Sequence, residues 1–240
     1  MELGLGGRAA LVTAGTKGLG RGAAYALARE GANVLICGRN EQRLDAAIDA
    51  APAGGGRVEG VVADVTDLSE PVRLVEETVA RFGSIDVLVA NAGGPPKARA
   101  LEVDDAGLLA ALNANLQTSI RLALAAVPHM RAAGWGRICF ITSNAVKQPI
   151  PDLAYSNVAR TGLWAWAKTA AADLIGDGIT VNLVCPGLHE TDRVKELGHT
   201  GRLGDPEDFG RVVAFLCSAP AGYVSGTALP VDGAATLGLL

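Results

Sequence analysis

Along this 240-residue chain, short apolar runs alternate with longer stretches in which apolar residues recur every three or four positions. The first pattern suits strands buried on both faces, and the second suits helices that bury one stripe. Strands are predicted at Ala9–Thr13, Asn33–Cys37, Val58–Val62, Val87–Ala90, Arg137–Ile141, Thr180–Val184 and Ala228–Val231. Helices are predicted near Gly18–Glu30, Glu41–Ala50, Leu68–Phe82, Ala106–Ala132, Leu153–Leu174 and Pro206–Ser218. Regular alternation of the two implies an α/β fold: a single doubly wound parallel sheet of about seven strands, with helices on both faces and one domain over residues 1–240. Asp67-Leu-Ser-Glu70 has the spacing of a capping box, and Gly31, Gly83 and Gly176 stand where helices should stop.

Composition narrows the function. Hydrophobic residues make up 49% of the chain and charged residues 19%, which supplies a buried core and excludes a disordered chain. A net charge of −4 lacks the basic excess behind non-specific nucleic-acid binding, so no nucleic-acid partner is expected. Every apolar run is interrupted before the roughly 18 residues of a spanning helix, and the first residues do not resemble a secretion signal. The expectation is a cytoplasmic protein with no membrane partner. Cys37, Cys139, Cys185 and Cys217 lie far apart and read as reduced core residues, while His129, His189 and His199 lack ligand spacing, so no metal is assigned.

The first strand runs into Thr13-Ala-Gly15-Thr16-Lys17-Gly18-Leu19-Gly20, which opens directly into a helix. Glycines at this junction let backbone amides approach a pyrophosphate, and the helix N-terminus adds partial positive charge, as in a Rossmann-type dinucleotide site. An NAD site would place Asp or Glu at the end of the second strand to bind the ribose hydroxyls. This chain has Gly38-Arg39-Asn40 there, and Arg39 with Lys17 offers two cations to a 2′-phosphate. NADP(H) is therefore favoured over NAD(H), against the plainer reading of two solvated surface cations.

With these residues in place, the chain resembles the short-chain dehydrogenase/reductase family over nearly its whole length. Thr13–Gly20 resembles the family's TGxxxGxG loop, with Ala14 in place of the first glycine. Asp64-Val65 is similar to the adenine contact, Asn91-Ala92-Gly93 to the NAG after the fourth strand, and Asn113-Ala-Asn115-Leu116 to the segment carrying the catalytic asparagine. Pro186-Gly187 with Thr191 resembles the PGxxxT that holds the nicotinamide. Gly201-Arg-Leu-Gly204, Pro206-Glu207 and Val231-Asp-Gly233 match later signatures. The resemblance implies hydride transfer to or from a carbonyl or alcohol, with a serine and a tyrosine on the substrate oxygen and a lysine four residues after the tyrosine on the ribose. Site roles follow for Asn115, Ser143, Tyr155 and Arg160, together with a homodimer or homotetramer and a small or carrier-bound carbonyl substrate.

The catalytic segment departs from that pattern. Tyr155 is followed four positions later by Ala159, and the family's usual separation of thirteen from serine to tyrosine is twelve from Ser143 to Tyr155. Counting without a gap puts Ser156 in the tyrosine position and Arg160 in the lysine position. On a regular helix Ser156 and Arg160 share a face, whereas Tyr155 and Arg160 diverge by about 140°. Tyr155 can meet the substrate only if the helix begins after it or the loop holding Pro149 and Pro151 repositions it, so both registers stand at this point. Lys147-Gln-Pro-Ile-Pro151 and Gly93-Gly-Pro-Pro96 resemble a divergent branch grouped with 3-oxoacyl-carrier-protein reductases.

Three further features bear on function. The stretch from Thr191 to Gly204 is shorter than the family's substrate lid, leaving His189, Glu190 and Arg193 as solvated loop residues beside an open site. On the long helix after the catalytic segment, Leu163, Trp164 and Trp166 are expected to bring at least one aromatic to a subunit interface. The alternative to an enzyme is a dinucleotide-binding sensor or structural subunit with weak turnover.

Overall fold

The computed structural model describes residues 2–196 and 201–238. Seven parallel strands form one sheet in the order β3-β2-β1-β4-β5-β6-β7, comprising β1 Ala9–Val12, β2 Asn33–Gly38, β3 Val58–Val62, β4 Val87–Ala90, β5 Gly136–Ile141, β6 Ile179–Pro186 and β7 Ala228–Val231. The helices are α1 Gly18–Arg29, α2 Glu41–Asp49, α3 Glu70–Phe82, α4 Asp105–Leu112, α5 Thr118–Ala133, α6 Ala154–Leu174, α7 Asp192–Glu196 and α8 Pro206–Leu216. Strand order reverses between β1 and β4, and the loops leaving their C-terminal ends diverge there, which opens a crevice.

Period-two side-chain alternation builds a core on each face. Leu11 of β1 and Ile138 and Phe140 of β5 pack towards α3, α5 and α6, while Ala10, Val12, Cys139 and Ile141 pack towards α1 and α8. The four cysteines are reduced and buried, and burial pushes the Cys37 thiol up to about 12. Leu163 is buried in the first core, Trp166 meets Phe140 edge-on with ring centres 6.1 Å apart, and half-buried Trp164 lies under the Lys147 ammonium at 4.2 Å. Among the described residues no helix is long and apolar enough to cross a membrane, and no cluster of metal-ligating side chains occurs.

Several local expectations are corrected. The predicted helix 106–132 is two helices joined by a π-helical turn at Asn113–Gln117, which carries Asn115. The capping box does not form: Asp67 accepts from the Ser69 amide and hydroxyl, while the Glu70 carboxylate pairs with Arg73. The left-handed stop after α6 is Gly178, with φ of 75°, because the chain continues past Gly176 in a 3₁₀ turn. His189 is buried, 4% exposed, with its ring edge-on to Phe209 of α8 and 5.1 Å between ring centres. Its Nδ1 donates to the Gly187 carbonyl at 3.3 Å, since the carbonyl can only accept. Desolvation lowers its pKa below the ordinary 6.5. Glu190 is exposed as expected and pairs with Lys195 at 3.0 Å, whereas the Arg193 side chain and residues 197–200 lie outside the described residues.

Helices α1 and α8 approach so closely that a Cβ on Gly22 would strike the Pro206 carbonyl oxygen, and one on Gly210 the Gly22 carbonyl oxygen. Gly22→Ala should therefore destabilise by about 1–3 kcal/mol through overpacking, lowering the urea midpoint with the m-value unchanged; an unchanged midpoint would contradict the close approach. The buried His189 gives a second expectation. Its folded pKa is depressed, so the unfolded chain takes up its proton first, and stability present above about 6.5 is lost as pH falls towards the folded value. Urea titrations should show a shallower acid-side loss in His189→Gln than in the parent, and parallel curves would rule this out.

Candidate active site

The crevice forms two connected chambers of about 580 and 570 Å³, both lined by Leu19, Asn91, Ala92, Gly94 and Thr191. The first is built around the glycine-rich turn. Lys17 enters α1 in extended conformation, no side chain caps that helix, and its first turn holds no acidic residue. Its first amides thus keep their partial positive charge where Gly18 and Leu19 line the chamber. Gly18 has φ of +55°, and a Cβ on Gly20 would strike the Ala14 carbonyl oxygen. Ala14, where the family's pattern has glycine, adopts φ of +46°, a left-handed conformation costing roughly 1–2 kcal/mol in an alanine. Thr13 fixes the turn to the next loop: its hydroxyl donates to the Asn91 carbonyl at 2.7 Å and accepts from the Asn91 amide at 2.9 Å.

At the far end lie Thr16, Arg39, Asp64 and Val65, with Lys17 on the rim. Asp64 accepts from the Thr66 amide and hydroxyl at 3.0 and 2.8 Å, which, with the weaker influence of Arg39, holds its carboxyl below the usual range. The Arg39 guanidinium is 3.8 Å from that carboxylate and its side chain is 79% exposed, so this loose pair costs little to open. Lys17 sits 3.5 Å from Asp192 of α7. Arg43, inside the predicted helix Glu41–Ala50 and not singled out from sequence, lines the same end because Asn40 caps α2 through the Arg43 amide at 2.9 Å. An uncapped helix end, backbone kept open by glycines and three nearby cations fit a dinucleotide diphosphate.

Ser143, Ser156 and Arg160 line the second chamber, together with Pro186, Gly187 and Thr191. Arg160 is 7% exposed; its Nε donates to Ser156 Oγ at 3.2 Å and its Nη1 to the Ile141 carbonyl at 3.1 Å. Ser143 Oγ accepts from the Ala145 amide at 3.1 Å, which fixes the serine at the end of β5. Asn115 is buried behind the chambers, its Oδ1 without a hydrogen-bond partner.

Tyr155 does not join this group. Helix α6 starts at Ala154, before the tyrosine, so the regular turn that carries Ser156 and Arg160 to the chamber turns Tyr155 away. The Tyr155 ring is buried with Ala98 and Ala111, and its hydroxyl accepts from the Asp104 amide at 3.1 Å. Two contacts hold α6 in this setting: Leu153 pairs with Ala98, and the Asn157 side-chain amide donates to the Ile150 carbonyl at 2.9 Å. Asn144, Gln148, Ile150, Leu153 and Lys97 also line the chamber and were not singled out from sequence. Only their place in the loops after β5 and, for Lys97, after β4 could have signalled them.

Comparison with known proteins identifies the family. Residues 13–236 match the family model described as enoyl-(acyl carrier protein) reductase. Dehydrogenase/reductase SDR family member 4 of Homo sapiens is 34% identical over 243 residues, covering 95% of this chain and 87% of that protein. The crystal structure of L-sorbose reductase from Gluconobacter frateurii, complexed with NADPH and L-sorbose, superposes with a TM-score of 0.93 at 31% identity over 100% of both chains. Acetoin dehydrogenase from Enterobacter cloacae gives a TM-score of 0.86 at 28% identity over 94% of each. A crevice at the sheet's switch point, the glycine-rich turn and this likeness along the whole chain lead to one assignment: the chain belongs to the short-chain dehydrogenase/reductase family, whose members are oxidoreductases that bind a nicotinamide dinucleotide.

Proposed function

We propose that this oxidoreductase uses NADP(H) and acts on a carbonyl or the matching alcohol, small or carrier-bound, with Ser143 and Ser156 holding the substrate oxygen. The observation that carries the proposal is the convergence of Ser143, Ser156 and Arg160 on the chamber that opens into the glycine-rich turn. The amides of Gly18 and Leu19 would hold the diphosphate, Arg39, Arg43 and Lys17 a 2′-phosphate, and Asp64 and Val65 the adenosine end. Asn91, Ala92 and Gly93 would support the middle, and Pro186, Gly187 and Thr191 the nicotinamide end. When bound, the nicotinamide supplies or accepts the hydride.

The chain's own groups handle the oxygen. Ser156 Oγ accepts from Arg160, which leaves its O–H to be donated to a substrate oxygen, and Ser143 supplies a second donor. Two aimed hydroxyls beside a buried guanidinium stabilise negative charge as it grows on that oxygen. Arginine keeps its proton, so Arg160 holds the ribose and fixes charge without relaying protons. The proton then reaches Ser156 from solvent, with the unpartnered Asn115 Oδ1 as an acceptor for a bridging water. Retention of both serines and Arg160 on one wall supports turnover over a binding-only role. We further infer assembly as a homodimer or homotetramer, since α5 and α6 leave Leu124 and Val158 exposed.

With NADPH and a panel of aldehydes and ketones, Ser156→Ala should lower kcat by about 100-fold or more, while Tyr155→Phe stays within a few-fold of the parent. Loss of turnover in Tyr155→Phe with Ser156→Ala active would reverse the assignment. For the cofactor, Arg39→Ala should raise the NADPH dissociation constant by about ten-fold or more and leave NADH binding nearly unchanged. Calorimetry giving equal losses for both would remove the 2′-phosphate role.

A further inference from the structure

We propose that the C-terminal segment Ala234–Leu237, latched by Gln148, is the wall that selects substrates by size in the second chamber. The inference rests on the hydride-transfer reading above. The segment between Thr191 and Gly204 is short, and its described part holds helix α7, Asp192–Glu196. Among its described residues Thr191 and Val194 line the second chamber, so the rest of the mouth is bounded by other segments.

The chain beyond β7 supplies one. Gly233 and Ala234 follow one another with φ of 62° and 67°, a reversal that carries the segment back so that Ala235 lines the chamber. The Asp232 carboxylate fixes the bend, accepting from the Ala234 amide at 3.1 Å and from the Thr236 amide and hydroxyl at 2.9 and 2.6 Å. At the far end the Leu237 amide donates to Gln148 Oε1 at 2.9 Å. Gln148 itself lines the chamber, and its amide donates to the Asn144 carbonyl at 3.1 Å. This one hydrogen bond ties the tail to the loop that leads into the catalytic helix.

The opposite rim is also tied down. Lys97 pairs with Asp152 at 2.8 Å, and the Ala98 amide donates to the Asp152 carbonyl at 3.0 Å. The mouth is thus a collar of three crosslinked segments whose least supported link is the latch, a single bond between two exposed residues. A carbonyl substrate small enough to fit inside the collar meets a preformed site, and a longer one must displace the tail.

Two substitutions open the latch from opposite sides: Gln148→Ala removes the acceptor, and Leu237→Pro removes the donated N–H. In the full-length protein, hydrogen exchange at the Ala235 and Thr236 amides should speed by about five-fold or more in both. With straight-chain α-diketones of increasing length and NADPH, the kcat/KM of long over short substrates should rise by a similar factor, through KM. NADPH affinity should not change. Gln148→Glu keeps an acceptor and should match the parent in exchange, and the double variant should go no further than either single. Unchanged exchange in both single variants, or faster exchange with unchanged length selectivity, would overturn the proposal. A parent protein that reduces no diketone would instead count against the redox reading, and exchange alone would then decide whether the latch exists.

Discussion

The site depends on where one buried guanidinium is held. Arg160 has little access to water, and a desolvated cation must find acceptors. It finds the Ile141 carbonyl at the end of β5 and Ser156 Oγ one turn earlier on its own helix. The Ile141 contact, with the Leu153–Ala98 pairing and the clasp between Asn157 and Ile150, fixes the rotation of α6 about its axis. Once that rotation is set, Ser156 faces the chamber and Tyr155 faces α4, and no local adjustment reverses the two while the helix begins at Ala154. An arginine at this place differs from a lysine in more than the length of its side chain. The rigid, permanently charged fork favours a site that works through positioning and charge over one that works through a mobile proton.

The rest of the molecule delivers partners to that point. Parallel strands bring the ends of β1, β4, β5 and β6 to one edge, and the reversal of strand order leaves the crevice open there. The reciprocal Thr13–Asn91 hydrogen bonds lock the glycine-rich turn to the β4 loop, so the two chambers share a rigid frame. Glycines bring α1 against α8 without side chains between them, which steadies the helix whose N-terminus faces the first chamber. Strain at Ala14 is kept within this frame, a conformation that a freestanding turn would relax.

Most of the fold was legible in the sequence because the strands are buried on both faces and read as continuous apolar runs. The glycine-rich turn was legible because its spacing serves a backbone function. What escaped was set by contacts distant in sequence. That Ser156 lines the chamber while Tyr155 packs against α4 depends on where α6 begins, which is set by the pairing of Leu153 with Ala98 and the clasp between Asn157 and Ile150. His189 read as a loop residue, yet packing against Phe209 buries it. The π turn at Asn113–Gln117 could not be separated from the helices around it by periodicity. The bond from Leu237 to Gln148 joins positions 89 residues apart and leaves no local pattern.

The most direct measurement is a crystal structure of the protein with NADPH and an unreactive analogue of a carbonyl substrate. Ser143 and Ser156 should lie within hydrogen-bonding distance of the analogue's oxygen, with Arg160 on the nicotinamide ribose and Tyr155 still bonded to the Asp104 amide. A Tyr155 hydroxyl swung into the crevice and bonded to that oxygen, with Ser156 turned away, would contradict this assignment.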